Sequence, residues 1–465
     1  SSLLIKLDNT KRTTVLIKTP YLHTNGAGMY MNMAMQFLDK GHNVLLQSNR
    51  GSHASTGVFK WLHEKNIEDS KNSIDWITGQ EFSNKKVISF GISYDGYNAL
   101  AAAASNAEGL ISTVACSAPS KASTDSFTAG ESVESTLLSY IAERENPNDI
   151  GLFYEKFYYL ENQNISYDEF DNILYGRDIA DWSDLMDAKR SGDLKSYMSE
   201  RSILEKLKES KVSIFHVAGT DHDQDGRDTI LAYEYLKNES YTKKNNFLYL
   251  HHYGHGCGEF FTKEFGEKFL SGDTKSLKNE YRELSNGETS SDIENDFIKT
   301  DIKLFSLNIT SELSNRESSG DDQEIFYKGK SEEDITVNGS PVLKVNVSSS
   351  LWRSSVIVSL FHSADGTYET PHSMASNISR TSFYMKDNTE GEISLILPPM
   401  KFHLKKGEDI IIKLSMDTQS YIDFFRVERS NYYEDNQESG LFEVIDPFIK
   451  LSLPVEDKKI AEEEV

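Results

Sequence analysis

The sequence predicts an α/β domain with a doubly wound, mostly parallel sheet, followed by a domain built from β-strands. In the first 120 residues, and again after residue 207, short buried runs alternate with helical patterns and no two-residue hairpin turns separate them. Beyond about residue 300, strand patterns follow one another with turn signals but without helices. Because 465 residues are too many for one core, two or three domains are expected.

The α/β pattern rests on a small set of buried runs and amphipathic stretches. The predicted strands lie at 15–17, 44–46, 87–90, 212–217 and 247–250, and the predicted helices at 30–40, 73–78, 97–104 and 229–237. Gly41 follows the first helix, at the position where a left-handed residue is favoured.

The segment 121–207 shows long helical patterns and no strand signals. Because the sheet pattern resumes after it, we interpret it as a helical cap inserted into the α/β domain rather than as a separate all-α domain. The cap is rich in aromatic residues, which either contact an apolar substrate or, as we favour, pack the core of the cap itself (Phe153, Tyr154, Phe157, Tyr158 and Tyr159).

The C-terminal region is typical of a β-sandwich or jelly roll. Strands are predicted at 342–347, 355–361, 392–397, 409–414 and 448–453. The predicted division of the chain is an α/β core at 1–120 and 208–285, the cap at 121–207, a polar linker at 286–292, a β jelly roll at 300–455 and an acidic tail at 456–465.

Composition excludes several classes of partner. The net charge of −24 disfavours nucleic acid, anionic membranes and polyanionic substrates. No run of about 18 apolar residues is present, so no membrane span is expected. Cys116 and Cys257 do not make a disulfide framework. A cytoplasmic location is predicted, with a removed signal segment as the alternative, and a homo-oligomer is compatible with the sequence.

No metal or cofactor is expected. No Cys/His spacing resembles a zinc site. Asp221, Asp223 and Asp225, followed by Gly226, have the spacing that begins a calcium loop, but Ala232 stands where its twelfth residue should be glutamate.

The strongest local signal is the run FGISYDG at 90–96, which follows a predicted strand and opens a predicted helix. A sharp strand-to-helix turn would expose the Ser93 hydroxyl above the sheet edge, in the context of a nucleophile elbow. The second glycine comes three residues after the serine rather than two, so the generic G-x-S-x-G pattern is not matched.

Several segments together resemble the cocaine esterase and Xaa-Pro dipeptidyl-peptidase family of serine hydrolases. GISYDG at 91–96 is similar to its G-x-S-Y-x-G elbow, and QSNRG at 47–51 with STG at 55–57 to its Q-D-x-R-G…S-x-G segment. KTPY at 18–21, WI at 76–77 and the strands at 341–350 and 402–415 resemble further family segments in the same order. The resemblance covers nearly the whole chain and implies an α/β hydrolase fold with a C-terminal jelly roll. Ser48 and the pair at 85–86 depart from the family pattern.

A histidine must activate the serine, and His255 is the candidate. It follows the last predicted α/β strand, where the order Ser…Asp…His places the base, and it resembles the family's G-P-W-S-H segment. His251 and His252 are interpreted as packing residues at the strand end.

The acid should follow the strand 212–217. The family's A-G-W-Y-D pattern would place it at His222, so the turn is shifted by one residue. Counting back from the following helix selects Asp223, and the opposite shift selects Asp221; we favour Asp223. For the oxyanion, the resemblance implies two donors, the Tyr94 backbone N–H and the Tyr21 hydroxyl.

These residues predict a serine hydrolase that cleaves an ester or amide of a small molecule or short peptide through an acyl-enzyme. Acyl transfer by the same acyl-enzyme and Xaa-Pro-type peptidase activity are the enzymatic alternatives. An inactive binding module of the hydrolase fold is the non-enzymatic alternative, which the presence of both Ser93 and His255 disfavours.

Overall fold

The computed structural model describes most of the α/β region and a large part of the C-terminal region. The described residues are 1–22, 27–120, 184, 194–220, 223, 225–237, 245–284, 287–291, 297–307, 323–349, 354–363, 380–385, 389–397, 399–416, 442–444 and 448–456. Most of the predicted cap with its aromatic residues, the alternative acid Asp221 and the tail beyond Glu456 lie outside them.

The first sheet has nine strands, in the spatial order β1-β3-β2-β4-β5-β6-β7-β8-β9. They are β1 (Ser2–Ile5), β2 (Arg12–Thr19), β3 (Asn43–Ser48), β4 (Ser83–Ile92), β5 (Leu110–Cys116), β6 (Ser213–Gly219), β7 (Asn246–His251), β8 (Glu280–Glu283) and β9 (Thr289–Ser290). All neighbours from β3 to β8 pair in parallel, whereas β1 and β9 join the edges antiparallel. The mostly parallel sheet predicted from the sequence is therefore confirmed.

Helices cover both faces of this sheet. They are α1 (Ala27–Asp39), α2 (Lys65–Thr78), α3 (Tyr94–Ala104), α4 (Leu194–Ser199), α5 (Leu204–Leu207), α6 (Gly226–Lys237) and α7 (Glu264–Ser271). On β2, Leu16 packs with Ile74 of α2, whereas its neighbour Val15 packs on the opposite face with Phe37 of α1. Both faces of the parallel strands are thus buried, which explains their uninterrupted apolar runs.

Helix boundaries follow the sequence signals where apolar spacing is regular. Helix α1 ends just before Gly41, which has φ +82° as its position predicts. Helix α2 begins at Lys65 instead of residue 73, because Asn66 and Ser70 lie on its buried face and hide the apolar period.

Several strands of this sheet were not predicted, among them β1, β5, β8 and β9. Strand β5 lies in the middle of the sheet, but Ser112 and Thr113 interrupt its apolar pattern although both are buried. Within the predicted polar linker, Thr289 and Ser290 form β9 and pair with β8.

The second sheet has eleven strands, and every described pair in it is antiparallel. They are β10 (Phe297–Leu307), β11 (Gln323–Lys330), β12 (Ile335–Gly339), β13 (Val342–Ser349), β14 (Ser354–Ser363), β15 (Arg380–Met385), β16 (Thr389–Ile396), β17 (Met400–Leu404), β18 (Asp409–Met416), β19 (Phe442–Val444) and β20 (Phe448–Glu456). On β13, Leu343, Val345 and Val347 are buried while Lys344 is exposed. This alternation gives each strand one apolar face toward a shared core.

Candidate active site

The carboxyl ends of the parallel strands bring the predicted site residues to one edge of the sheet. Ser93 follows β4, Asp223 follows β6, and His255 lies in the loop after β7. This edge is where ligands bind in open α/β sheets.

Ser93 occupies a strained turn between β4 and α3. Its backbone has φ +60° and ψ −128°, outside the regions that side chains ordinarily adopt. The flanking glycines make the turn possible. A Cβ on Gly91 would meet the Asp95 carbonyl oxygen at 1.9 Å, and a Cβ on Gly96 would meet the Cβ of Ala118 at 2.6 Å. The turn therefore has the geometry that the sequence predicts for a nucleophile elbow.

Asp223 and His255 are in direct contact. Asp223 Oδ1 lies 3.0 Å from His255 Nδ1, and the carboxylate is fully buried while the imidazole is 29% exposed. The other carboxylate oxygen, Oδ2, accepts hydrogen bonds from the Gly219 backbone N–H at 2.8 Å and from the Ser117 hydroxyl at 2.7 Å. A buried carboxylate on Nδ1 selects the tautomer in which Nε2 is free to accept a proton.

A second carboxylate, Asp225, lies on the other side of the imidazole. Its Oδ2 is 4.0 Å from His255 Nε2, and its side chain is buried. Burial raises the pKa of Asp225 and the His255 charge lowers it. The charges of Asp223 and Asp228 raise it, a hydrogen bond with Ser93 lowers it, and the resulting pKa is about 7. In the sequence, Asp225 stands out only through the calcium-loop spacing, and no role was predicted for it.

The pKa of His255 reflects both carboxylates. Burial lowers it, but the hydrogen bond that Nδ1–H donates to Asp223 and the charges of Asp225 and Asp223 together raise it to about 9. Each nitrogen of the imidazole lies near a carboxylate, Nδ1 at 3.0 Å from Asp223 and Nε2 at 4.0 Å from Asp225.

The two residues expected to bind the oxyanion lie beside the elbow. Tyr94 is the first residue of α3, so its backbone N–H belongs to the first turn, which has no intrahelical acceptor. The Tyr21 ring packs edge-on against the Tyr94 ring, with centroids 6.3 Å apart. The Tyr94 hydroxyl accepts a hydrogen bond from the Leu62 N–H at 3.3 Å. The oxyanion donor that was predicted on Tyr94 is its backbone N–H, not this hydroxyl.

A buried chain of hydroxyl groups connects the elbow to the Tyr21 segment. The Tyr30 hydroxyl donates to Asp95 Oδ2 at 2.6 Å and lies 2.5 Å from Thr19 Oγ1, which accepts from the Tyr21 N–H at 3.1 Å. Burial raises the pKa of Asp95 to about 8, although its hydrogen bonds with Tyr30 and Thr19 lower it. These contacts connect the segment that carries Tyr21 to the first turn of α3.

The end of β5 carries contacts that the sequence did not indicate. Cys116 forms a disulfide with Cys257, two residues after His255. The two cysteines are 141 residues apart, and no spacing rule pairs such a couple. Next to Cys116, Ser117 contacts the acid loop and the histidine loop through its hydroxyl.

The neighbouring histidines have other partners. His251 ends β7, is buried, and its Nε2 lies 3.2 Å from the Gly256 carbonyl oxygen. His252 Nδ1 contacts a carboxylate oxygen of the buried Glu283.

The β-strand region also reaches this edge of the sheet. A Cβ on Gly226, at the start of α6, would meet Pro399 Cγ at 2.7 Å. Pro399 lies between β16 and β17, so the second sheet contacts the loop that carries Asp223 and Asp225.

Within the part of the chain that the structure describes, no group of three or more His, Cys, Asp or Glu side chains is arranged to hold a metal ion. None of the described helices is both long and apolar enough to cross a membrane.

Solved structures share this architecture. An alpha-amino acid ester hydrolase superposes with a TM-score of 0.57 and 14% identity, covering 98% of this chain and 94% of its own. A CocE/NonD family hydrolase from Staphylococcus aureus gives 0.58 and 12%, covering 98% and 90%. These similarities show the α/β-hydrolase fold.

Sequence comparison identifies the family. Cocaine esterase from Rhodococcus sp. (strain MB1 Bresler) is 35% identical over 95 residues, which are 20% of this chain and 16% of the esterase. The chain thus matches only a small part of that curated relative. The X-Pro dipeptidyl-peptidase (S15 family) model matches residues 8–256, more than half of the chain. The chain therefore belongs to the X-Pro dipeptidyl-peptidase (S15) family of serine hydrolases, as its sequence resemblance predicted.

Proposed function

We propose that this protein hydrolyses an ester or amide bond through an acyl-enzyme, with Ser93 as nucleophile, His255 as base and Asp223 as acid. The observation that carries the proposal is the pairing of a strained, glycine-flanked serine turn with a histidine whose Nδ1 is 3.0 Å from a buried carboxylate at the same sheet edge. Strain of this kind persists where the surrounding structure enforces it, typically at functional sites.

In the proposed mechanism, Ser93 Oγ attacks the acyl carbon as His255 Nε2 takes its proton. The imidazolium, stabilised by Asp223, then gives that proton to the leaving alcohol or amine. Water, activated by the same imidazole, releases the acid and restores Ser93. The Tyr94 N–H and the Tyr21 hydroxyl bind the oxyanion, and one such donor is typically worth ~10²–10³ in turnover.

The resting arrangement has one further requirement. Asp225 Oδ2 lies 4.0 Å from His255 Nε2, the nitrogen that must take the Ser93 proton, and Ser93 is one of the groups that lower the Asp225 pKa. Catalytic hydrogen bonds are often long in resting enzymes and tighten when the substrate is bound. In the proposed mechanism, the bound substrate engages Asp225 and leaves Nε2 to the serine.

The position of Asp225 also supports a more specific proposal about the acyl group of the substrate. A buried carboxylate 4.0 Å from the Nε2 of the proposed base attracts a cation, and the ammonium of an α-amino acyl group is a cation that lies close to the scissile carbonyl. The structural relative named as an alpha-amino acid ester hydrolase is consistent with such a substrate. We propose that α-amino acyl esters or amides are preferred.

Labelling by a fluorophosphonate probe, read by intact mass, tests the hydrolase proposal. Wild-type protein should gain one adduct, Ser93→Ala none, and His255→Ala should react at least about 100-fold more slowly, because the hydroxyl lacks its base. Ser210→Ala is the matched control, since Ser210 is a buried serine outside the site. A folded wild-type protein that forms no adduct would contradict the proposal.

A matched substrate pair tests the acyl preference. An α-amino acyl ester should have a kcat/KM at least about 10-fold higher than its des-amino counterpart with the same leaving group. The des-amino ester lacks the charge-assisted contact with Asp225. The difference should disappear in Asp225→Asn. Equal kcat/KM values in the wild type would reject the preference while leaving the hydrolase proposal intact.

We also propose that the C-terminal strands form the β jelly roll predicted from the sequence, at 300–455. The antiparallel pairing of every described strand pair there and the apolar core that the described strands share support this assignment.

A further inference from the structure

The carboxyl end of β5 touches all three segments of the candidate triad. The Cys116 carbonyl oxygen accepts a hydrogen bond from the Ser93 N–H at 2.9 Å. The next residue, Ser117, is fully buried, and its own N–H donates to the Val217 carbonyl oxygen at 2.7 Å. This short stretch is therefore fixed between the strands that carry the nucleophile and the acid.

The Ser117 hydroxyl connects the acid to the histidine loop. Its oxygen lies 2.7 Å from Asp223 Oδ2 and 3.1 Å from the Gly256 carbonyl oxygen, and it accepts a hydrogen bond from the Gly256 N–H at 2.8 Å. A hydroxyl has a single proton to donate. The carboxylate oxygen of Asp223 is nearer than the Gly256 carbonyl oxygen and is the stronger acceptor. Ser117 thus donates to Asp223 while it accepts from the residue next to His255.

The backbone of Ser117 makes this contact at a conformational cost. Its φ is +45°, in the left-handed region that glycine adopts with least strain. Glycine at this position would relieve the backbone but would leave Asp223 Oδ2 and the Gly256 N–H without the shared hydroxyl. The residue that is present keeps the hydroxyl despite the strained backbone.

We propose that Ser117 is a positioning residue for the catalytic reaction. Its hydroxyl fixes the orientation of the Asp223 carboxylate through Oδ2, so that Oδ1 stays on His255 Nδ1, and it fixes the histidine loop through Gly256. This inference rests on the proposed function, because it assigns Asp223 and His255 to the triad.

Two variants separate the hydroxyl from the backbone. Ser117→Ala removes the hydroxyl and keeps the strain, whereas Ser117→Gly removes both. Each should lower kcat on an activated ester by about 10–100-fold with KM within about 2-fold, since misplacement of a catalytic group affects the reacting geometry more than binding. The low-field proton resonance of the His255 Nδ1–H should shift or broaden in both variants.

The matched control is Ser210→Ala. Ser210 is also buried, and its hydroxyl donates to the Ala103 carbonyl oxygen and accepts from the Val212 N–H, remote from the triad loops. The Ser210→Ala variant should keep the wild-type kcat and low-field resonance, even if its melting temperature is lower than that of the wild type.

Either of two results would overturn the inference: wild-type kcat and an unshifted resonance in folded Ser117→Gly, or failure of Ser117→Gly to fold, which would make the hydroxyl a requirement of the fold. Failure of the proposed function gives a different result, because wild-type protein would then not react with the fluorophosphonate probe. Reactive wild type with equally reactive Ser117 variants rejects only the positioning role.

Discussion

The two sheets differ in where they place buried polar groups and backbone strain. In the nine-stranded sheet several buried polar residues, among them Ser117, Asp223 and Asp225, lie at the carboxyl ends of the strands. In the eleven-stranded sheet the core cluster is apolar, and its buried Asn338 bonds outward to the Glu283 carbonyl oxygen of the first sheet. All described non-glycine residues with positive φ lie in the α/β region, at or before Ser117.

The difference follows from strand direction. Parallel strands deliver all their carboxyl-end loops to one edge, so polar groups from distant parts of the chain meet there. Antiparallel strands divide their turns between two edges, and each strand buries one face. Changes at the first site should therefore alter chemistry and packing together, whereas changes inside the second sheet should alter stability alone.

The largest effect is expected for Gly91→Ala. Its Cβ would meet the Asp95 carbonyl oxygen at 1.9 Å, a backbone atom that cannot move without opening the elbow. We expect a loss of more than about 3 kcal/mol in the free energy of unfolding, together with loss of fluorophosphonate labelling. Urea unfolding and intact mass measure the two effects.

The matched control for this change is Gly79→Ala. A Cβ there would make ordinary contacts of 3.5 and 3.6 Å at the end of α2, so the unfolding free energy should change by less than about 0.5 kcal/mol. Wild-type labelling by Gly91→Ala would refute the close packing of the elbow.

A cavity in the second sheet should lower stability without affecting labelling of Ser93. Leu360 on β14 is fully buried, and Leu360→Ala should lower the free energy of unfolding by about 2–5 kcal/mol. The folded variant should label with the probe at the wild-type rate. Lys344→Ala, at an exposed position on β13, is the control and should change neither the free energy of unfolding nor the labelling rate. Slower labelling of folded Leu360→Ala would remove the distinction between the two sheets.

The sequence predicted those features that depend on local pattern. Ser93 stands out because its glycine neighbours follow a buried run, and the C-terminal strands stand out through their alternation. Strand β5 was not predicted, because Ser112 and Thr113 occupy buried positions in a central strand where an apolar run is the usual signal.

Contacts between distant segments could not be predicted. The approach of Asp225 to His255 Nε2 depends on how the acid loop turns, and one inserted residue changes which aspartate faces the imidazole. The Cys116–Cys257 bond and the Ser117 bridge join residues about 140 positions apart, and only the strand order brings them together.

Removal of the disulfide should lower both the stability of the α/β region and the rate at which Ser93 is labelled. Closing a loop of this length constrains the unfolded chain, and its loss typically lowers the free energy of unfolding by about 2–4 kcal/mol. Because Cys257 follows His255 by two residues, the double variant Cys116→Ala/Cys257→Ala should also label more slowly than wild type. Chemical unfolding and the labelling rate are the measurements.

Reduction of the wild type with dithiothreitol is the matching comparison, and it should reproduce both effects. A fall in stability without slower labelling would show that the bond supports the fold alone and leaves the histidine loop in place.

The smallest effect, and the most specific, is expected for Asp225→Asn. The Asp225 charge is one of the causes that raise the pKa of His255 to about 9. A base must be unprotonated to act, so kcat/KM of the wild type on an uncharged ester should rise with pH until His255 loses its proton. Removing the charge lowers that pKa, and the acidic limb of the profile should move to lower pH. At pH 7 the variant should then reach a larger fraction of its own plateau than the wild type does. Asp228→Asn removes a neighbouring buried aspartate whose charge acts on Asp225, whereas Asp223 and Asp225 are the charges that raise the His255 pKa, so this variant should move the limb less than Asp225→Asn does. A limb that stays in place in Asp225→Asn, or moves to higher pH, would mean that the second carboxylate does not act on the base. The chemistry at this edge would then depend on Asp223 alone.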